Sequence, residues 1–312
     1  MRYVEAAGIR VSAIGLGTWQ FGSGDWGYGS AYASEVAPAL VRRALELGIT
    51  LIDTAETYGS GASERIVGRA LRHSPGTPFV ATKLTPILPL PAVAVSHAAA
   101  SRARLGVEVI DLYQLHFPNP IVPIRLQAAA LRAVVDRGIA RNVGVSNHSL
   151  RRWRAIEAAL GRPVVSNQVE FSLARIGPAD DLLPHATSSD RLVIAFSPLG
   201  QGLLAGDHRP RANGARRLRQ LLGAARTGDV GRLRDVVRAV ADGHAATMAQ
   251  VALAWLLRHP NVVAIPGART VAQLEENAAA AELTLTDAEF EALSVEARRL
   301  ADARARPGSA RR

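Results

Sequence analysis

The chain has no cysteine, so disulfides and thiolate chemistry are excluded, in keeping with a reducing compartment. Aromatic residues make up only 5% of its 312 residues. No uninterrupted apolar run approaches the length of a membrane span, and the start, Met1-Arg2-Tyr3-Val4-Glu5-Ala6-Ala7-Gly8, lacks the apolar core of a secretion signal. A cytoplasmic protein is expected. Lysine is nearly missing as well: among 37 basic residues only Lys83 is not arginine. For solvated surface charge the two residues are nearly equivalent. Lysine differs in being a compact ammonium whose pKa moves readily on burial, whereas arginine stays protonated.

What is present is enough apolar content, 48%, to bury a sizeable core. The net charge of +10 raises nucleic-acid binding as an option. The arginines are spread along the whole chain with few aromatics between them, so neither a nucleic-acid nor a membrane partner is expected.

Short apolar, β-branched runs begin near positions 11, 49, 79, 109, 140, 165, 193 and 262, with helical spacing or turn signals between them. Glu35 to Leu47 reads as a helix ended by Gly48, and Ser63 to Arg72 as another with Ser63 as N-cap. Thr247 to Arg258 and Thr286 to Arg298 follow the same pattern, the latter with Thr286 and Glu289 spaced as a capping box. Eight strand-helix units of this size close most naturally into a parallel barrel. The expected architecture is α/β: a single (β/α)8 TIM barrel over residues 1–300, with an N-terminal β-hairpin plugging its floor and an extra C-terminal helix. Residues 301–312 read as an Arg-rich tail expected to be disordered, and 203–244 as an insertion before the eighth strand. The oligomeric state has no signal in the sequence.

Active sites of such barrels lie at the carboxyl ends of the strands. Here strand two ends in Asp53, strand three in Lys83 and strand four in His116, with Tyr58 five residues past Asp53 in the loop crossing the same mouth. Adjacent parallel strands lie about 5 Å apart, so these side chains converge if they point inward. A carboxylate paired with an ammonium, beside a phenol, is expected to lower the phenol's pKa from its usual value near 10 and make Tyr58 a proton donor near neutral pH. Such an acid suits protonation of an alkoxide as a hydride reaches a carbonyl carbon. Each member alone has an ordinary structural explanation. Four of them at neighbouring strand ends point to catalysis.

The motifs Gly15-Leu16-Gly17-Thr18-Trp19, Asp53-Thr54-Ala55-Glu56-Thr57-Tyr58-Gly59, Gly61-Ala62-Ser63-Glu64, Thr82-Lys83, Asp111-Leu112-Tyr113-Gln114-Leu115-His116, Gly144-Val145-Ser146-Asn147, Asn167-Gln168-Val169-Glu170, Phe196-Ser197-Pro198-Leu199-Gly200 and Ile265-Pro266-Gly267 run in order through the chain. As a set they resemble the aldo-keto reductase superfamily. The resemblance implies reversible reduction of an aldehyde or ketone, with Tyr58 as general acid, Lys83 and Asp53 tuning it and His116 orienting the carbonyl. It also implies a nicotinamide dinucleotide lying extended across the barrel mouth, and no metal.

On that resemblance the cofactor would meet Gly17, Thr18, Trp19 and Asp53; Ser146, Asn147 and Gln168 would hold its carboxamide and Phe196 would stack on the ring. Ser197, Pro198, Leu199, Gln201, Gly202 and Leu203 would wrap the pyrophosphate. Ile265, Gly267, Arg269, Gln273, Glu276 and Asn277 would meet the adenosine half. Arginine binds phosphate bidentately, so Arg269 favours NADPH, with NADH left open. Relatives with Lys at the position of Gly267 and Arg at that of Gln273 exist; this chain has neither. Trp19, Trp26, Tyr28 and Phe117 are candidate contacts for a small carbonyl substrate, whose identity stays open among keto-sugars, small aldehydes and steroid-like ketones. Gly22-Ser23-Gly24-Asp25-Trp26-Gly27 fits a dinucleotide-binding glycine motif by letter, but no helical periodicity follows, and it reads as a loop. A nucleotide-binding, redox-sensing regulatory subunit of the same fold is the alternative function.

Overall fold

The computed structural model describes residues 1–22, 32–72, 74, 76–85, 87–205 and 227–305. Strands β1 (Tyr3–Ala6) and β2 (Ile9–Ser12) pair antiparallel through a two-residue turn, Ala7 and Gly8, both at positive φ. That handedness matches the strand twist of a tight hairpin. Ala6, Ile9 and Val11 belong to the same buried cluster as Leu51, Ala81, Leu112, Ile194 and Val263 from the barrel strands, so the hairpin forms the barrel floor as expected.

Among the described residues eight strands pair in parallel in strictly sequential order: β3 (Leu16–Gly17), β4 (Leu51–Asp53), β5 (Phe79–Leu84), β6 (Ile110–Leu115), β7 (Ala140–Ser146), β8 (Ser166–Glu170), β9 (Leu192–Phe196) and β10 (Val262–Ala264). The sheet closes on itself: Ile14 bridges in parallel to Ala264, with Gly15 N–H donating to the Ala264 carbonyl at 2.8 Å. This is the (β/α)8 barrel.

The first barrel strand is not where the apolar run near position 11 suggested. That run is the second hairpin strand, and the barrel strand is the glycine-rich pair Leu16–Gly17. Packing explains the glycines. A Cβ on Gly15 would lie about 3.0 Å from Ile265, and one on Gly17 would be 2.7 Å from the Ile265 carbonyl oxygen, so the strand closing the barrel has no room for the side chains that make strands readable.

Helices α1 (Ala37–Glu46), α2 (Ala62–Leu71), α3 (Pro91–Leu105), α4 (Ile124–Asp136), α5 (Leu150–Leu160) and α6 (Pro178–Ser188) alternate with the strands. Among the described residues, α7 (Thr227–Gly243) and α8 (Met248–Leu257) lie between β9 and β10, and α9 (Val271–Ala279) and α10 (Asp287–Ala305) follow. The helix expected from Glu35 begins as a π-turn over Tyr32–Val36. Ser63 is not the cap of α2. Gly61, at φ 80°, takes that position, and Ser63 lies buried inside the first turn, its hydroxyl bonded to the Thr18 carbonyl and shared with the Thr18 and Thr54 hydroxyls. The Thr286–Glu289 capping box forms, and α10 runs seven residues beyond Arg298. No helix among the described residues is long and apolar enough to cross a membrane.

Candidate active site

Strand register brings the four candidate groups together. Gly17 lies opposite Asp53, Asp53 opposite Ala81, and Lys83 opposite Gln114, so β4, β5 and β6 deliver Asp53, Lys83 and His116 side by side at the carboxyl end of the barrel. Lys83 is fully buried, and its Nζ donates to Asp53 Oδ1 at 2.6 Å, to the Thr54 carbonyl at 2.7 Å and to the Tyr58 hydroxyl at 3.3 Å. Three acceptors around one nitrogen match the three hydrogens of an ammonium. His116 packs edge-on to the Tyr58 ring, with centroids 5.7 Å apart, and stacks flat on Phe117. Its Nδ1 faces the Thr57 hydroxyl at 3.4 Å.

Burial alone would pull the Lys83 pKa down, but Asp53 and Tyr58 more than offset it, and the amine stays an ammonium above the ordinary lysine value. Burial and the nearby Lys83 charge lower His116 to about 3, so it works as a neutral imidazole. The expectation for Tyr58 is reversed. Desolvation of the phenolate is the largest effect, Lys83 opposes it without overcoming it, Asp53 adds to it, and the phenol pKa is raised above 10. The group is a retained O–H rather than a resting phenolate.

Asp53 is held from its other side. Gln168 Nε2 donates to Oδ2 at 2.7 Å, which joins the carboxamide-type residues to the tetrad in one network. Ser146 Oγ donates to the Gln168 carbonyl at 2.9 Å, and Asn147, in the left-handed region at φ 60°, donates through Nδ2 to the His116 carbonyl at 3.1 Å. Thr18 is buried behind Asp53, its Oγ1 donating to the Asp53 carbonyl, so it buttresses the strand end. Phe196 is half-buried at the end of β9. Beyond it the chain passes Ser197, Pro198 and Leu199 into a short turn where Ser197, Gly200, Gln201 and Gly202 all have positive φ; a Cβ on Gly202 would meet nothing within 4 Å. Leu203 closes this turn, its carbonyl accepting from Arg234 of α7 at 2.5 Å, which ties the insertion to the loop.

After β10, Ile265 is buried and Gly267 exposed. Gln20, not singled out from the sequence, lies against Gly267: a Cβ there would sit 2.9 Å from its Oε1, while its Nε2 donates to the Ala268 carbonyl. No local motif marks this pairing of residues nearly 250 positions apart. Arg269 is half-buried, and its guanidinium makes no ion pair among the described residues. Its backbone N–H donates to Gln273 Oε1 at 2.9 Å, and Thr270 caps α9. Glu276 is half-buried and Asn277 buried on that helix.

Of the substrate candidates, Trp19 and Phe117 are exposed at the mouth, while Trp26 and Tyr28 lie outside the described residues. Ile87, Leu88 and Ile121, on the loops after β5 and β6, are also exposed, Ile121 at 87%. Asn119 Nδ2 donates to the Ile87 carbonyl at 3.2 Å and joins the two loops. Ile87 and Leu88, a pair set between prolines, were not singled out from the sequence.

The chain from residue 13 to 295 matches the model of the Aldo/keto reductase family. It is 50% identical over 301 residues to an uncharacterised oxidoreductase of Mycobacterium tuberculosis, covering 96% of this chain and 93% of that protein. It is 34% identical over 284 residues to the methylglyoxal reductase YeaE of Escherichia coli, covering 90% and 89%. Among solved structures, an aldo/keto reductase from Klebsiella pneumoniae in complex with NADP and acetate aligns with a TM-score of 0.76 at 30% identity, covering 94% of each chain.

Proposed function

The chain belongs to the aldo/keto reductase family, and we propose that it is an NADPH-dependent oxidoreductase that reduces an aldehyde or ketone to the alcohol, reversibly, with Tyr58 as the proton donor. The observation that carries this reading is the buried Lys83 ammonium bonded at once to Asp53 and the Tyr58 hydroxyl. A bound nicotinamide would supply the hydride. Tyr58 holds its proton at rest and gives it to the oxygen of the reacting carbonyl. Lys83, 3.3 Å from the phenolic oxygen, stabilises the phenolate left behind. His116 is neutral and its Nδ1 is turned to Thr57, which leaves Nε2 to orient the carbonyl oxygen.

The residues around the mouth fit such a cofactor. The Gln168 amide nitrogen is occupied by Asp53, so its Oε1 is left to accept from a carboxamide N–H, beside Ser146 and Asn147. The open face of Gly202 admits close approach of a pyrophosphate. Arg269, without an ion pair among the described residues and just before the N-terminus of α9, suits the adenosine 2′-phosphate that distinguishes NADPH. The Klebsiella relative's NADP and the Escherichia coli relative's methylglyoxal make these the first compounds to try.

The test is a panel of carbonyl compounds, methylglyoxal among them, assayed with NADPH and NADH side by side, with Tyr58→Phe in parallel. We expect repeated NADPH-preferring turnover in the parent and loss of turnover in Y58F with NADPH affinity kept. Near-normal kcat in Y58F would remove Tyr58 from its role. A single hydride transfer followed by stalled release would instead mark a nucleotide-sensing subunit.

A further inference from the structure

The contact between Lys83 and Tyr58 is the loosest of the three around Nζ, at 3.3 Å against 2.6 and 2.7 Å. That is longer than an ordinary N–H···O bond, so the pair does not fix its own separation. In the loop after Tyr58, Gly59, Ser60 and Gly61 follow at φ 57°, 52° and 80°; the glycines adopt this region freely, but Ser60 does so only where its surroundings impose it.

Two carboxylates at the ends of that loop supply the constraint. Glu56, two residues before Tyr58, has a side chain only 10% exposed. Its Oε1 accepts from the Thr85 backbone N–H at 2.5 Å and its Oε2 pairs with His97 Nδ1 at 2.9 Å. Glu64, fully buried after the loop, accepts from the Thr82 hydroxyl at 2.6 Å and from Arg104 Nε at 2.5 Å. Thr82 on β5 and Thr85 just past its end bracket Lys83, one residue before it and two after. The anchors on α3, His97 and Arg104, are seven residues apart and so share one helix face two turns apart. Both ends of the Tyr58 loop are therefore fastened to the strand that carries Lys83 and to the helix behind it. Burying charge in this way is a poor route to stability, because desolvation consumes most of the Coulombic gain.

We propose that Glu56 is a positioning residue that sets the separation between Tyr58 Oη and Lys83 Nζ, with the Glu64–Arg104 pair as the fixed foot at the other end of the loop. This rests on the reading of Tyr58 as the acid. Glu56→Ala removes both fastenings at the near end, and a displacement of the phenol by about 1 Å lowers kcat about 10- to 100-fold. The carbonyl KM and the NADPH Kd, read by fluorescence titration, stay close to the parent's. Glu56→Gln keeps an oxygen for the Thr85 N–H and restores most of the lost kcat. His97→Ala, at a partner that is 44% exposed, keeps the fold and lowers kcat about 2- to 10-fold with Kd unchanged.

Parent-like kcat in both E56A and H97A overturns the proposal, as does a fall in kcat matched by an equal fall in NADPH affinity, or a failure of glutamine to rescue. Y58F separates the two levels of the argument. If Y58F is inactive and the Glu56 and His97 variants are normal, only the positioning role falls; if Y58F turns over normally, both readings fall together. Should E56A fail to fold, H97A still decides the matter by its kcat.

Discussion

Replacing Lys83 by methionine keeps most of the apolar stem and deletes the ammonium together with its three hydrogen bonds. In the parent, that charge neutralises a carboxylate from 2.6 Å away, with both groups essentially inaccessible to water. After the substitution Asp53 retains only the Gln168 amide as a partner. Removing one member of a buried pair costs about 3–5 kcal/mol, because the other is left as an uncompensated charge. In Asp53→Asn/Lys83→Met no charge remains, and the asparagine amide still offers an oxygen to Gln168, so the double variant should be more stable than K83M by about 2 kcal/mol or more.

Urea midpoints at constant m-value measure both differences. On the catalytic side, a unit charge 3.3 Å from the phenolate oxygen is worth about 5 kcal/mol at an effective dielectric of about 20, so K83M should lose about 10³- to 10⁴-fold in kcat. A double variant no more stable than K83M would refute the buried-pair account of the site.

Acid should destabilise the fold through three histidines, His116 and His148, which are buried, and His259, which is half-buried. Burial first of all lowers His116 to about 3 and His148 and His259 to about 4 from the usual 6.5, so each ring is neutral when folded and gains its proton on unfolding. Stability is then full above pH 6.5 and falls below it, by about 6 kcal/mol for the three rings at pH 5; equal urea midpoints at pH 7 and 5 would contradict this. Arg269→Ala should weaken NADPH about 10- to 100-fold and leave NADH unchanged, measured by fluorescence titration; a parallel loss for both nucleotides would remove Arg269 from the 2′-phosphate. Ultraviolet difference titration of the parent against Tyr58→Phe should show no phenolate from Tyr58 below pH 10, since its pKa is raised, and a midpoint below that value would mean that Lys83 outweighs burial.

The barrel and its tetrad were legible because both write themselves locally. An apolar-rich run that reaches a polar, titratable residue marks a strand's carboxyl end, and Asp53, Lys83 and His116 each stand at or next to such a boundary. Capping was legible where the side chain decides it, as at Thr286, and misread where the backbone does, as at Gly61. Strand β3 escaped for a related reason: closing the barrel against Ile265 demanded glycines, and glycines carry no period. Gln20 against Gly267, and Glu56 against His97, are contacts between separate elements that no window of sequence contains.

The sign at Tyr58 could not be read from residue types at all. Sequence places a cation near a phenol, and attraction to the phenolate follows. Whether that attraction wins depends on how much water the oxygen loses and on where the cation's field is already engaged. Here Lys83 lies closer to Asp53 than to Tyr58, and the Asp53 charge itself disfavours the phenolate, so burial prevails. For an acid this is the useful outcome. A phenol that ionised at rest would have no proton to give. On the proposed mechanism, the attraction of Lys83 would grow only as the O–H bond breaks, so the ammonium would favour the transition state over the resting enzyme, the condition for raising kcat rather than merely tightening binding.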